Sequence, residues 1–306
     1  MIFDKVTVYG GGLIGSGWAV CFLTHGVNVT VYDLDDEKLE DTKNNVENIL
    51  NFFTESGIEV LTQKQKEECL TRISYTHDVK IAVEDAEFIQ ENAPEKLLIK
   101  QSIIETIEEF NSTAIIASST SGLLITDIAA KAKYPQRIIA GHPFNPVHLV
   151  PLVELAKGDN TSQEAIDKAY EFYKEIGKEP VILLKECKGF IANSVQDALY
   201  NVALDLVSRG VCTVEDVDKA VTFGPGLRWG LMGPYMVLEL AGGKGGIRGR
   251  MMKFNNSDNN IDIEMICEGV NSEFANRAPE QGQDHKALER FRDEGLIEFL
   301  KFHGKF

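Results

Sequence analysis

The stretch Lys5-Val6-Thr7-Val8-Tyr9-Gly10-Gly11-Gly12-Leu13-Ile14-Gly15 decides the fold. A short β-forming run enters a glycine turn. An apolar segment of helical character follows and ends at Gly26. The glycines fit G-x-G-x-x-G in its required context of strand, tight turn and helix. Gly10 permits the turn, Gly12 lets the backbone approach a pyrophosphate, and Gly15 lets the helix pack close to the strand. The helix start at Leu13 and Ile14 then offers unpaired N–H groups to phosphate. A second β-branched run, 27–32, ends at Asp33, where the ribose-binding acid of such a unit belongs. These features predict NAD as cofactor. The Asp33 carboxylate accepts from ribose hydroxyls and repels a 2′-phosphate. Two like charges at 4 Å cost about 4 kcal/mol at an effective dielectric near 20, less after screening. NAD is therefore expected over NADP.

Outward from this loop, strand-like and helix-like segments alternate. Helical periodicity with a charged outer face covers 35–53, and a shorter helix covers 63–71. Residues 72–75 and 86–91 read as strands. Apolar spacing at Leu98, Ile99, Ile103, Ile104 and Ile107 predicts a helix over 95–110, with Glu95 in its first turn. Buried strands are expected at 114–117 and 137–141. Strands at 150–156 and 180–184 continue the sheet, with a helix at 162–176 between them. Alternation of this kind implies a mostly parallel sheet with helices on both faces, a doubly wound Rossmann-type α/β domain. Beyond Phe190 the signals are mainly helical, at 191–209, at 213–223 with Thr213 as N-cap, and in a final segment, 285–306. Two domains are expected: 1–187 for the nucleotide, and a smaller all-helical one over 188–306. The asparagine-rich stretch 255–260 reads as a loop.

Composition excludes several classes. Of 306 residues, 43% are hydrophobic and 25% charged, as in soluble globular proteins. Acidic residues outnumber basic ones 47 to 31, a net charge of -16. Such a chain suits neither nucleic acid nor an anionic membrane surface. Cys21, Cys69, Cys187, Cys212 and Cys267 are scattered and form no Cys-x-x-Cys pair. Neither a metal site nor a disulfide framework is expected, and a reducing cytoplasm is the expected compartment. No secretory-type start and no membrane-spanning run is read.

The densest run after the glycine loop is Gly141-His142-Pro143-Phe144-Asn145-Pro146, followed by Pro151-Leu152-Val153-Glu154. A histidine ends one expected strand, and a carboxylate lies on the next. Two arrangements satisfy that spacing. In one, the carboxylate orients the imidazole and stabilises its protonated form, as a general base with an orienting partner requires. In the other, a capping histidine and a sheet-edge glutamate do no chemistry. His25, His77 and His148 read as surface residues.

Residues 10–15, Ser119-Thr120-Ser121, the His142 run, Glu154 and Lys188-Gly189-Phe190-Ile191-Ala192-Asn193 stand in this order along the chain. Together they resemble the L-3-hydroxyacyl-CoA dehydrogenase family, over about residues 4–245. The resemblance implies that His142 is the general base on a substrate 3-hydroxyl and Glu154 its partner. It implies that Ser121 and Asn193 bind the substrate oxygen and the histidine region. Glu95, Lys100, Ser121 and Asn145 match positions near the nicotinamide ribose. It further implies a small-molecule substrate, NAD as hydride acceptor, and a homodimer built through the helical domain.

Within that family the chain leans toward free acids. Members acting on CoA esters usually carry an aromatic after the histidine and a basic residue before Leu-Val-Glu. Pro143 and Pro151 stand there instead, a form that resembles the L-gulonate 3-dehydrogenase (lambda-crystallin) and L-carnitine dehydrogenase branch. The run Gly224-Pro225-Gly226-Leu227-Arg228-Trp229-Gly230 resembles the same branch, and Leu240-Ala241-Gly242-Gly243-Lys244-Gly245-Gly246 is nearer the carnitine enzymes. Arg228 can clamp a substrate carboxylate, or pair with a structural acid. Trp229 can face a quaternary ammonium group, or fill a core. Ile247-Arg248-Gly249-Arg250 departs from the histidine and aromatic expected of carnitine enzymes. Lys64 and Lys66 keep a CoA ester open, since they can meet its phosphates. A non-catalytic NAD-binding sensor or structural protein is the reading of another class.

Overall fold

The structure, a computed structural model, describes residues 1–55, 60–254 and 261–305. The expected loop at 255–260 lies outside the described residues. The first part of the chain runs β1 (Lys5–Tyr9), α1 (Leu13–Thr24), β2 (Asn28–Tyr32), α2 (Asp36–Glu55), α3 (Gln63–Leu70), β3 (Ile73–Thr76), α4 (Val79–Val83), β4 (Phe88–Glu91), α5 (Leu97–Phe110), β5 (Ile115–Ser118) and α6 (Ile125–Ile128). It continues with β6 (Ile138–Pro143), β7 (Leu152–Lys157), α7 (Gln163–Glu175), β8 (Glu179–Ile182) and α8 (Phe190–Ser208). The strands form one sheet in the order β3-β2-β1-β4-β5-β6-β7-β8. All pairings are parallel except β6 with β7. A loop without a helix joins those two, so the chain turns back on itself, whereas a parallel return needs a crossover.

Period-two alternation divides each strand between the two faces of the sheet. Val6 and Val8 of β1 join one core with Trp18, Phe22, Val46, Leu50 and Phe172. Tyr9 joins the other, with Val83, Ile104, Ile107 and Phe190. On β6, Ile138 and Ala140 share that second face, and on β7 so does Ala156. The same parity carries His142 and Glu154 to it.

Two local differences from the sequence reading have physical causes. The short helix α4 was not expected, because one turn and a half shows no periodicity. Asp78 starts it by accepting from the N–H groups of Lys80 and Ile81. Helix α5 begins at Leu97 with Lys96 as its N-cap, so Glu95 is not a first-turn residue.

Contacts divide the chain into two units, residues 1–198 and 199–306, with the division inside α8. The start of α8 belongs to the first unit because its first turn is held there by Glu154. The second unit contains α9 (Val214–Phe223), α10 (Pro225–Trp229), α11 (Pro234–Ala241), α12 (Gly246–Phe254), α13 (Ile263–Asn276) and α14 (His285–Phe302). Thr213 caps α9 in a reciprocal pair with Asp216. Met232, Met236, Val237, Ile247, Cys267, Val270 and Leu288 form the core of this unit. No helix among the described residues is long and apolar enough to cross a membrane.

Candidate active site

Two cavities border the glycine loop. The larger, about 890 Å³, is lined by Gly10, Gly11, Gly12, Tyr32, Asp33, Leu34, Pro94, Leu98 and Ile99. Gly15 allows the turn to close, since a Cβ there would run into the carbonyl oxygen of Gly10. A Cβ on Gly12 would meet nothing within 4 Å, so the backbone at this point is open to a ligand. No side chain caps the start of α1. Its free N–H groups therefore favour an anion. Asp33 accepts from Gly11 N at 2.8 Å and from Leu34 N at 2.8 Å. Each carboxylate oxygen keeps a further lone pair for a ribose hydroxyl. An open anion cradle, an acceptor beyond it and an apolar slot together fit a dinucleotide.

The smaller cavity, about 400 Å³, is lined by Ile14, Ser119, Ser121, His142, Phe144, Asn145, Asn193 and Gln196. In the β6–β7 register His142 lies directly opposite Glu154. Their side chains meet at 2.9 Å, Nδ1 to Oε2, and both are buried. The second carboxylate oxygen of Glu154 accepts from Ile191 N at 2.8 Å and Ala192 N at 3.0 Å. One carboxylate thus orients the imidazole and caps α8. An ionised carboxylate only accepts, so it holds the proton on Nδ1 and leaves Nε2 as the basic nitrogen. The Phe190 ring stacks on the imidazole, with centroids 4.8 Å apart. Phe190 has φ 51°, a conformation costing a bulky residue ~1–3 kcal/mol, and the capped helix start holds it there.

Ser121 sits on a loop tied down by Glu95. One Glu95 oxygen accepts from the Thr120 hydroxyl at 2.6 Å and from the N–H groups of Ser121, Gly122 and Leu123 at 3.0, 2.9 and 3.3 Å. Burial alone would raise the Glu95 pKa. The Thr120 hydrogen bond, the Lys100 charge and the loop amides outweigh it and hold the carboxyl below its ordinary value. Lys100 is 1% exposed, and its ammonium donates to both oxygens of Glu91 at 2.9 Å and to Ala93 O at 3.1 Å. All three donors are used, so in this structure Lys100 supports the loop after β4 and lines neither cavity.

Beneath the site a buried amide links three strands. Gln90 Nε2 reaches Ser119 Oγ at 2.9 Å and the carbonyl of Gly141, the residue before His142, at 3.2 Å. The Tyr173 hydroxyl donates to Gln90 Oε1 at 2.5 Å. Sequence reading singled out none of Gln90, Ser119, Phe190 and Gln196 for a role here. For Gln196 a signal existed, because three residues beyond Asn193 is the same helix face. His25 and His77 are exposed, as expected. His148 is half-buried against Phe53, and burial, with the Lys178 charge, lowers its pKa.

In the second unit, Arg228 is exposed and forms no ion pair among the described residues. Trp229 is 42% exposed, so it is not a core aromatic. Arg248 forks onto Glu264 at 2.5 and 2.6 Å. Lys66 bonds Asn51, and Lys64 lies 3.9 Å from Glu68. Among the described residues no cluster of His, Cys, Asp and Glu could hold a metal ion.

Family models for the 3-hydroxyacyl-CoA dehydrogenase NAD-binding domain and C-terminal domain match residues 5–187 and 189–282. The chain belongs to the 3-hydroxyacyl-CoA dehydrogenase family. This dehydrogenase is 38% identical to an L-carnitine dehydrogenase from Bacillus cereus, over 99% of its own length and 93% of the relative's. It is also 38% identical to a 3-hydroxyacyl-CoA dehydrogenase from Gibberella moniliformis, over 78% of its own length and 73% of the relative's. Among solved structures, it resembles the NAD-dependent 5-dehydrogenase of 5-formyl-3-hydroxy-2-methylpyridine 4-carboxylic acid. There the TM-score is 0.74 at 27% identity, covering 99% of both chains.

Proposed function

We propose that the dehydrogenase oxidises the 3-hydroxyl of a small 3-hydroxy acid to the 3-keto compound, with NAD rather than NADP as cofactor. The observation that carries this is the buried His142–Glu154 pair at the wall of a cavity it shares with Ser121 and Asn193. His142 Nε2 takes the proton of the substrate hydroxyl, and Glu154 stabilises the imidazolium that forms. Ser121 and Asn193 hold the substrate oxygen, and Asn145, in the same cavity wall, would hold the nicotinamide ribose when the cofactor is bound. The glycine loop and Asp33 hold the dinucleotide, and Glu95 holds the loop of Ser121. When bound, NAD supplies the acceptor for the hydride that leaves C3. A positioned base contributes ~10²–10⁴-fold. A binder without chemistry needs neither His142 nor Glu154, so the pair weighs against a sensor or structural role.

The carnitine dehydrogenases among the relatives favour a free acid. The Gibberella relative favours the second reading, a CoA ester such as 3-hydroxybutyryl-CoA. Following NADH absorbance with L-carnitine, L-gulonate, 3-hydroxybutyrate and, in reverse, acetoacetyl-CoA decides between them. The expected result is turnover of at least one free acid, at least ~10-fold better with NAD than NADP. Turnover of acetoacetyl-CoA alone favours the ester. Tight NAD binding with no turnover of any of the four overturns the enzymatic reading, and equal efficiency with NADP overturns the role of Asp33.

A further inference from the structure

A second carboxamide lines the cavity of His142. Gln196 stands one helical turn beyond Asn193 on α8, and both line the same wall. Both are half-buried, and neither side chain has a hydrogen-bond partner among the described residues. Ile14, Pro143 and Phe144, also in the lining, offer no side-chain donor. The cavity therefore presents polar groups at two levels along α8. One level is Asn193, and the other is an amide whose Cβ lies about 5–6 Å away along the helix.

On the reading given above, the first level serves the oxygen on C3. A 3-hydroxy acid carries its next oxygens on C1, with a single carbon between C1 and C3. A pair of amides one turn apart matches two oxygen sites spaced in that way. We infer that Gln196 is a specificity-determining residue that donates a hydrogen bond from Nε2 to a C1 oxygen of the substrate. The donor is neutral. It accepts a carboxylate or a thioester carbonyl alike, so it reads the presence of the C1 oxygen and leaves discrimination of charge to other groups. It also fixes which end of the substrate lies along α8, and so which face of C3 meets the dinucleotide.

This inference rests on the 3-hydroxy acid reading, and one experiment separates the two. Gln196→Met keeps length and helical preference and removes the donor. Steady-state kinetics with 3-hydroxybutyrate, L-carnitine and 3-hydroxybutyryl-CoA are compared with wild type. Calorimetry with acetoacetate and NAD, both oxidised and so unable to react, gives a binding constant independent of turnover. The expected result is a KM raised ~10–100-fold, with kcat changed less than ~3-fold and NAD affinity unchanged, as loss of uniform binding to a charged acceptor gives. Acetoacetate affinity falls by the same factor. Gln196→Glu should impair the free acids more than the ester, because it sets a like charge against a carboxylate. An unchanged KM and acetoacetate affinity in Gln196→Met overturns this inference alone. Failure of the wild-type protein to turn over any of the three or L-gulonate overturns it together with the 3-hydroxy acid reading.

Discussion

Glu154 does two jobs with two oxygens, and that division makes it testable. One oxygen accepts a hydrogen bond from His142 Nδ1–H, and the other caps α8 by accepting from the N–H groups of Ile191 and Ala192. Glu154→Gln is nearly isosteric. Its carbonyl oxygen can keep the two helix N–H groups, but its amide nitrogen then faces Nδ1 and donates to it. The imidazole proton is forced onto Nε2, the nitrogen that must receive the substrate proton. The variant should fold, bind NAD as wild type does, and lose kcat by ~10²–10⁴-fold, about as much as His142→Gln. Thermal melting and NAD titration check the first part, and NADH absorbance checks the second. Turnover above a tenth of wild type in Glu154→Gln would show that Glu154 is a helix cap and no more. This pair was half legible in the sequence. The residues and their strands could be read, but their register depends on how β6 meets β7, which no local pattern states.

At the scale of elements, the loop after β5 depends on a carboxylate from the loop before α5. Glu95 supplies one acceptor to three consecutive amides and a hydroxyl, so charge on Glu95 holds Ser121 in place. Its carboxyl lies below the ordinary value. A group depressed on folding contributes order that is complete above its ordinary pKa of about 4.3, and loses it as pH falls through the lowered value. Protection of the amides at 121–123 against hydrogen exchange, corrected for intrinsic rates, should therefore hold from pH 8 to about 5 and fall only below the ordinary glutamate range. Glu95→Gln should show severalfold weaker protection at every pH and no acid limb of its own. An identical acid limb in both proteins would take the loop out of the control of Glu95. The sequence shows this element only in part. Apolar spacing located α5, and Gly10 to Gly15 located the cofactor turn, because both are local patterns. The bond from Glu95 to Ser121 spans 26 residues and leaves no periodicity, and the placing of Glu95 in a helix turn hid it.

The whole molecule carries a charge of -16, which bears on the expected homodimer. In the second unit Tyr200, Val202, Leu204, Val211 and Val214 are each more than half exposed within fifteen residues of chain. An exposed apolar set of this density marks an interface more often than bare surface. The occupant consistent with the family resemblance is a second copy of the same unit. Two copies of so acidic a chain repel one another at long range, so their association has to come from apolar burial at close range. Salt screens the first and leaves the second. Between about 20 mM and about 300 mM salt the screening length shortens from roughly 20 Å to roughly 6 Å. The dimer should therefore tighten severalfold over that range, opposite to an interface held by ion pairs. Sedimentation equilibrium at both concentrations measures this. Leu204→Asp adds like charge to the apolar set and should shift the population to monomer, with the far-ultraviolet dichroism of the wild type. A wild-type monomer at tens of micromolar, or a Leu204→Asp dimer of unchanged strength, would leave these side chains without a partner copy.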